Sequence, residues 1–228
     1  MTGTLLEASG LDVTIQSVRA LRGFSFTVGT GEMVGLVGRN GAGKTTLMRT
    51  IMGHLAPASG TVRFDGRDLR TVPRHGRAAL GIGYMPEDRG LVPELTVEEN
   101  ILLPTWVSRT LDGARRLDFV YGVLPELPPM RDRRALQLSG GQQKLVALAR
   151  ALAVGTRFLL LDEPFEGVAP ALSHRLSEVI AGMRGGAVSV VISQSDLNHS
   201  QSLFNREYMI ERGANAGVRE SAGVGAPV

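Results

Sequence analysis

Apolar and polar residues alternate through Leu11-Asp12-Val13-Thr14-Ile15 and again through Phe24-Ser25-Phe26-Thr27-Val28, and glycines bound both runs. A period of two sends one set of side chains to a buried face, so both segments are predicted strands. Glu32 to Val37 is a short apolar run ending in a glycine-rich turn, after which the spacing predicts a helix over Thr46 to Met52. Thr61 to Phe64 and Ile82 to Met85 read as further short strands. From about Leu95 to Ala153 the pattern changes. Thr96-Val97-Glu98-Glu99 fits a capping box, helical spacing follows around Leu111 to Leu124 and Gln142 to Val154, and Pro125, Pro128 and Pro129 divide the region. Strand patterns return at Phe158 to Asp162, Val188 to Ser193 and Tyr208 to Ile210. A helical insertion inside an α/β core is the simplest arrangement of that order. The stretch from Gly213 onward has glycine, alanine and valine without periodicity and is expected to be loose.

Composition narrows the picture. A length of 228 residues suits one large domain, and a 43% hydrophobic content excludes a wholly disordered chain. Cysteine is absent, which excludes a disulfide framework and a thiolate metal site and fits a reducing compartment. The net charge is only +3 although the pI is 9.8, so no nucleic-acid partner is expected. The longest apolar runs, Phe158 to Leu161 and Ala187 to Ile192, are far shorter than a membrane span, and Met1 to Gly10 lacks the make-up of a signal peptide. These features predict a cytoplasmic protein that meets a membrane only through a partner. His54, His75, His174 and His199 show no metal-ligand spacing.

Gly38-Arg39-Asn40-Gly41-Ala42-Gly43-Lys44-Thr45 matches G-x-x-x-x-G-K-T in full, between a predicted strand and a predicted helix. Glycines let the backbone curl until successive N–H groups point inward at phosphate oxygens, and the helix adds the positive end of its dipole. Lys44 can then reach the outer phosphates, and the Thr45 hydroxyl can ligate Mg²⁺. Phe158-Leu159-Leu160-Leu161-Asp162-Glu163-Pro164 is a buried strand ending in two carboxylates. Alone, such an ending marks where a chain reaches solvent. Downstream of a phosphate loop it supplies the second half of a nucleotide site, with Asp162 toward Mg²⁺ and Glu163 toward the attacking water.

Leu138-Ser139-Gly140-Gly141-Gln142-Gln143 reads by itself as a helix cap, since serine is a favoured N-cap. In company with the other two motifs, in this order, the chain resembles the ABC ATPase family from about Leu5 to Gly213. The resemblance implies an α/β P-loop NTPase with the ABC ATPase fold: a RecA-like core, an antiparallel β subdomain and a helical subdomain. The whole chain, residues 1–228, would be a single ABC ATPase domain. Within it, residues about 1–87 and 155–212 would form the nucleotide-binding core with the β subdomain, about 88–154 the helical signature subdomain, and 213–228 a loose tail.

The ligands implied are ATP and Mg²⁺. Gly38, Arg39, Asn40, Gly41, Ala42, Gly43, Lys44, Thr45 and Thr46 would hold the chain's own ATP, with Ile15 where most members stack an aromatic residue on adenine. Ser139, Gly140, Gly141 and Gln142 would meet the nucleotide of a head-to-tail partner, either a second copy or a sister ATPase. Glu163 falls on the catalytic base, Lys44 and Gln194 on groups at the γ-phosphate, and Thr45, Glu87 and Asp162 on the Mg²⁺ site. Glu87 stands where most members have glutamine, and Gln194 where most have histidine. An amide can hydrogen-bond phosphate but carries no charge.

Glu87 and Gln194, with Pro86-Glu87-Asp88-Arg89-Gly90, Leu95-Thr96-Val97-Glu98-Glu99-Asn100 and Glu166-Gly167-Val168-Ala169-Pro170, resemble one subgroup: the second ATPase of branched-chain amino acid importers and its relatives in urea uptake. That implies permease partners in the membrane, a solute-binding protein acting indirectly, and a peripheral location on the inner face of the cell membrane. The function implied is that of an importer ATPase for branched-chain amino acids, with a urea or short-chain amide importer ATPase, a non-transport ABC ATPase and a P-loop kinase or GTPase as the competing readings.

Overall fold

The structure is a computed structural model that describes residues 3–106, 108, 110–195 and 203–220; His199 and residues 221–228, on which expectations fell, lie outside them. Strand β1, Thr4–Ile15, and strand β2, Val18–Gly29, pair antiparallel, with Gln16 and Ser17 turning the chain at φ 45° and 71°. Both strands run longer than the alternation suggested. The glycines that had looked like boundaries lie inside them: the β1–β2 register shifts between Ala8 and Leu11, and Gly10 and Gly23 take φ 59° and 63°. A bulge absorbs such a residue without ending the strand. Strand β4, Ser59–Phe64, and β5, Arg67–Asp68, complete a four-stranded antiparallel sheet in the order β2-β1-β4-β5.

The second sheet contains β3, Met33–Val37; β6, Ile82–Met85; β7, Phe158–Asp162; β8, Ser189–Gln194; β9, Arg206–Glu211; and β10, Ala214–Glu220. Its order is β10-β9-β3-β8-β7-β6, with only β10 antiparallel to its neighbour. Every residue of β3, β7 and β8 is buried, as expected of parallel strands covered on both faces. One core lies between the two sheets around Phe24, Phe26, Phe64 and Phe158, and includes Leu47 and Met48 of helix α1, Lys44–Ile51. A second core fills the other face of the parallel sheet, around Leu159, Leu161, Ile192 and Phe204.

That second core is covered by α4, Gly140–Val154, and α5, Pro170–Ala181. Helices α2, Val97–Leu102, and α3, Gly113–Val123, pack on α4, and α4 packs on β6 and β7. Helix α4 is therefore shared: its length belongs to the helical region by sequence, yet its buried face belongs to the sheet. Helix α5 was not apparent from the sequence pattern; it opens with Pro170 in its first turn, where the missing N–H costs nothing.

The expected looseness from Gly213 onward needs correction for residues 214–220. Arg212 and Gly213, at φ 48° and 82°, form a two-residue turn that brings β10 back along β9. The Asn215 side chain accepts from the Ser25 N–H and donates to the Ser25 carbonyl, both at 2.8 Å, pinning β10 to β2. Six of the seven β10 residues are exposed, so backbone pairing rather than an apolar face makes the strand. No helix among the described residues is long and apolar enough to cross a membrane.

Candidate nucleotide-binding site

The loop from Gly38 to Gly43 joins the end of β3 to the start of α1. Two of its glycines are required. A Cβ on Gly38 would fall 2.3 Å from the Ile210 carbonyl oxygen, and Gly43 takes φ 115° with a Cβ position 2.8 Å from the Ala20 carbonyl oxygen. Gly43 is also the N-cap of α1 and brings no side chain to cap it, so the orphan amides of the first turn face a small cavity together with the helix dipole. That cavity, about 260 Å³, is lined by Ala20, Asn40, Gly41, Gly43, Lys44, Thr45, Thr46, Glu87 and Glu163.

The carboxylates enter from β7. Asp162 is fully buried at its end and accepts from the Ser193 hydroxyl at 2.6 Å. Burial holds its carboxyl above the usual range, while hydrogen bonds from Ser193 and Thr45 pull the other way. Glu163 follows at φ 48°, a left-handed backbone uncommon for a glutamate, and its N–H donates to the same Ser193 hydroxyl at 2.9 Å. One serine thus fixes both acidic residues. Lys144 of α4, nearly sealed from solvent, donates to the Glu163 carbonyl at 2.8 Å and to the Glu166 carbonyl. Burial, with Arg89 adding to it, pushes the Lys144 ammonium below its ordinary pKa.

The Glu163 side chain lies 3.0 Å from Lys44 Nζ, and both side chains are at least nine-tenths buried. Lys44 also donates to the carbonyls of Gly38 and Arg39. Its cation is therefore held by oxygens where phosphate oxygens would arrive. Glu87, just past β6, is exposed but lines the same cavity; burial first, then Asp162, Glu166 and Glu163, raise its carboxyl above the usual value. Gln194 ends β8, and its carbonyl accepts from the Gly38 N–H at 3.1 Å, which ties that strand end to the phosphate loop.

These groups fit a nucleotide polyphosphate: uncapped helix amides, a lysine cation and a threonine hydroxyl converge on one concavity. The oxygens of Thr45, Glu87 and Asp162 are hard donors suited to Mg²⁺. Among the described residues no group of three or more histidine, cysteine, aspartate or glutamate side chains is placed to hold a metal ion.

Two predicted contributions lie elsewhere. Ser139 caps α4: its hydroxyl accepts from the Gln142 N–H at 3.3 Å, and the Gln142 side chain accepts from the Ser139 N–H at 3.0 Å. Ser139 and Gly140 are exposed, and the side chains nearest Gly140 and Gly141 are Arg89 and Leu172, not the phosphate loop. Ile15 sits exposed beside the β1–β2 turn, whereas Ala20 is the β2 residue that lines the cavity. Ser193, Ser195 and Lys144 were not singled out from the sequence. Lys144 left one trace, a lone cation at the start of the apolar run from Leu145 to Leu148; the serines left none.

A phosphate loop at a strand–helix junction, paired carboxylates at the end of a parallel strand one removed in the sheet and a detached Ser-Gly-Gly helix start define a nucleotide-binding cassette of the P-loop NTPase class. The ABC transporter family model matches residues 21–166, and the chain belongs to that family. Among curated relatives, the lipopolysaccharide export system ATP-binding protein LptB of Haemophilus influenzae is 33% identical over 212 residues, covering 92% of this chain and 88% of the relative. The high-affinity branched-chain amino acid transport ATP-binding protein BraG of Pseudomonas aeruginosa is 36% identical over 196 residues, covering 86% and 84%. A solved ATP-binding cassette of an ABC transporter in its ADP conformation superposes with a TM-score of 0.82 at 26% identity, covering 96% of this chain and 92% of that one. A dimeric cassette bound to ADP and Pi shares the fold at a TM-score of 0.86 and 24% identity, covering 96% and 100%. The fold is that of an ABC ATPase, and the chain is an ATP-hydrolysing subunit of a transporter.

Proposed function

We propose that this chain powers import of branched-chain amino acids, hydrolysing MgATP at the cavity between the phosphate loop and Glu163. The observation that supports the hydrolytic site best is the convergence of Lys44, Thr45, Glu87 and Glu163 on one cavity beside the uncapped start of α1. Lys44 and the loop amides hold the charge that develops on the transferring phosphoryl group. Glu163 orients the attacking water and takes its proton. Gln194 hydrogen-bonds the terminal phosphate, and Ile15 offers adenine an apolar contact without a stacking face. Thr45, Asp162 and Glu87 would hold Mg²⁺, which would supply neutralisation of phosphate charge.

Exposure of Ser139 and Gly140 at the start of α4 suits them to a nucleotide on a second cassette, so the working unit is a head-to-tail dimer. Permease subunits would dock at a larger cavity of about 950 Å³ between the core and the helical region, where Leu103, Pro104 and Arg150 face Arg49, Tyr84 and Glu87. Thr45 and Glu87 border both cavities, which gives a physical path from nucleotide to partner. That docking puts the protein on the inner face of the cell membrane, with a solute-binding protein acting only through the permeases.

Import of branched-chain amino acids rests on the subgroup features at Glu87 and Gln194 and on the similarity to the BraG protein. The similarity to LptB favours a second reading, an ATPase serving lipopolysaccharide export. Uptake of labelled leucine, isoleucine and valine in cells lacking the chain separates them. Loss of uptake, restored by the wild-type chain and not by Lys44→Ala, supports import. Normal uptake with a defect in lipopolysaccharide delivery supports export.

A further inference from the structure

Ser195 lies directly after the β8 residue Gln194, between the phosphate loop and the acidic end of β7. Its hydroxyl oxygen is 2.6 Å from Glu163 Oε1 and 2.6 Å from the atom placed as Asn40 Oδ1, with Lys44 Nζ donating to the hydroxyl oxygen at 3.5 Å. A hydroxyl has one proton, and a carboxylate only accepts, so that proton belongs to Glu163. The Asn40 contact then needs a donor on the asparagine side, so we assign the amide with its NH₂ group exchanged for Oδ1 toward Ser195; the two ends of an amide are interchangeable in shape. Read this way the chain of bonds is directional, from the Asn40 amide through Ser195 to the Glu163 carboxylate. Asn40 occupies one of the four unspecified positions of G-x-x-x-x-G-K-T, so its side chain is not committed to cradling phosphate by the motif.

We propose that Ser195 is a positioning residue for Glu163, tethering the carboxylate to the phosphate loop through Asn40. Lys44 is the other group on Glu163 Oε1, and nucleotide draws Lys44 away toward phosphate. Ser195 remains, so it sets the direction of the carboxylate when water must be oriented. The inference rests on Glu163 being the base.

The test is steady-state ATP hydrolysis by the full chain, in the assembly in which it purifies, for Ser195→Ala, Ser195→Thr, Asn40→Ala and Asn40→Ala/Ser195→Ala. Ser195→Ala is expected to lower kcat about tenfold, the size of one hydrogen bond to a charged group, with KM for ATP nearly unchanged. Ser195→Thr keeps the hydroxyl and should restore kcat. Asn40→Ala should show the same direction, and the double variant should lose no more than Ser195→Ala alone. In the nucleotide-free protein, Ser195→Ala should lower the melting temperature on the wild-type background and not on a Glu163→Ala background.

A kcat within twofold of wild type for Ser195→Ala, a Ser195→Thr as impaired as Ser195→Ala, or additive losses in the double variant would overturn the tether. Glu163→Gln is run alongside. Full activity of Glu163→Gln removes the base itself, whereas an inactive Glu163→Gln beside a fully active Ser195→Ala removes only the tether.

Discussion

Lys44 and Glu163 form an ion pair at 3.0 Å, with side chains only 5% and 9% exposed. The cation meant for phosphate and the proposed base neutralise one another in the nucleotide-free chain. On the proposed function, a nucleotide entering the cavity would exchange that carboxylate for its own phosphates on Lys44 and release Glu163 toward the water it is to orient. Binding and arming of the site would then be one event.

Breaking the pair should be costly when no nucleotide is present. Lys44→Ala strands a buried carboxylate, and stability is expected to fall by about 3 kcal/mol, the usual scale for a broken buried pair. Adding Glu163→Gln should recover part of that loss. Chemical unfolding of the two single variants and the double variant, without nucleotide, measures the coupling.

Ser139 has two separable duties, capping α4 and meeting a partner's nucleotide. Aspartate caps a helix as well as serine does, but its charge repels phosphate. Ser139→Asp is thus expected to keep the melting temperature within a few degrees and to abolish ATP-dependent dimerisation. Light scattering with ATP on a Glu163→Gln background reads the dimer, and a normal dimer would confine Ser139 to the cap.

Strand β10 depends on Asn215, which imitates a backbone partner for Ser25. Asn215→Ala should leave β9 protected and speed amide hydrogen exchange across Ala214–Glu220. Unchanged exchange there would mean that pairing with β9 alone holds the strand.

His54 gives the stability a pH dependence away from the nucleotide. Partial burial first, then Arg74, Arg49 and Arg77, hold its imidazole below the ordinary value of 6.5. A base with a depressed folded pKa contributes stability that is complete above its unfolded pKa and lost as pH falls through the folded one. From pH 7.5 to pH 5 the wild type should accordingly lose stability relative to His54→Gln. Melting curves of the two proteins across that range check the sign.

Motif chemistry and the apolar runs were legible in the sequence wherever burial was two-sided. Strands β3, β7 and β8 were legible because strands covered on both faces read as near-continuous apolar runs, and the capping box at Thr96 and the N-cap at Ser139 marked α2 and α4. Strand β10 was hidden because its residues face solvent and its hydrogen bonds leave no side-chain pattern. Gly10 and Gly23 misled for the opposite reason, since a bulge and a strand end call for the same residue. At the site, types with known chemistry stood out, whereas Ser193, Ser195 and Lys144 act through bonds to Asp162, Glu163 and backbone carbonyls that only folding brings within reach.

The most direct test of the account is ATP turnover by Glu163→Gln, measured beside nucleotide binding by the same variant. Losing the base should slow hydrolysis by about 100-fold or more, while ATP binds at least as tightly because Lys44 no longer has an anionic competitor. Turnover equal to wild type would contradict the assignment of Glu163 and the exchange at Lys44 that follows from it.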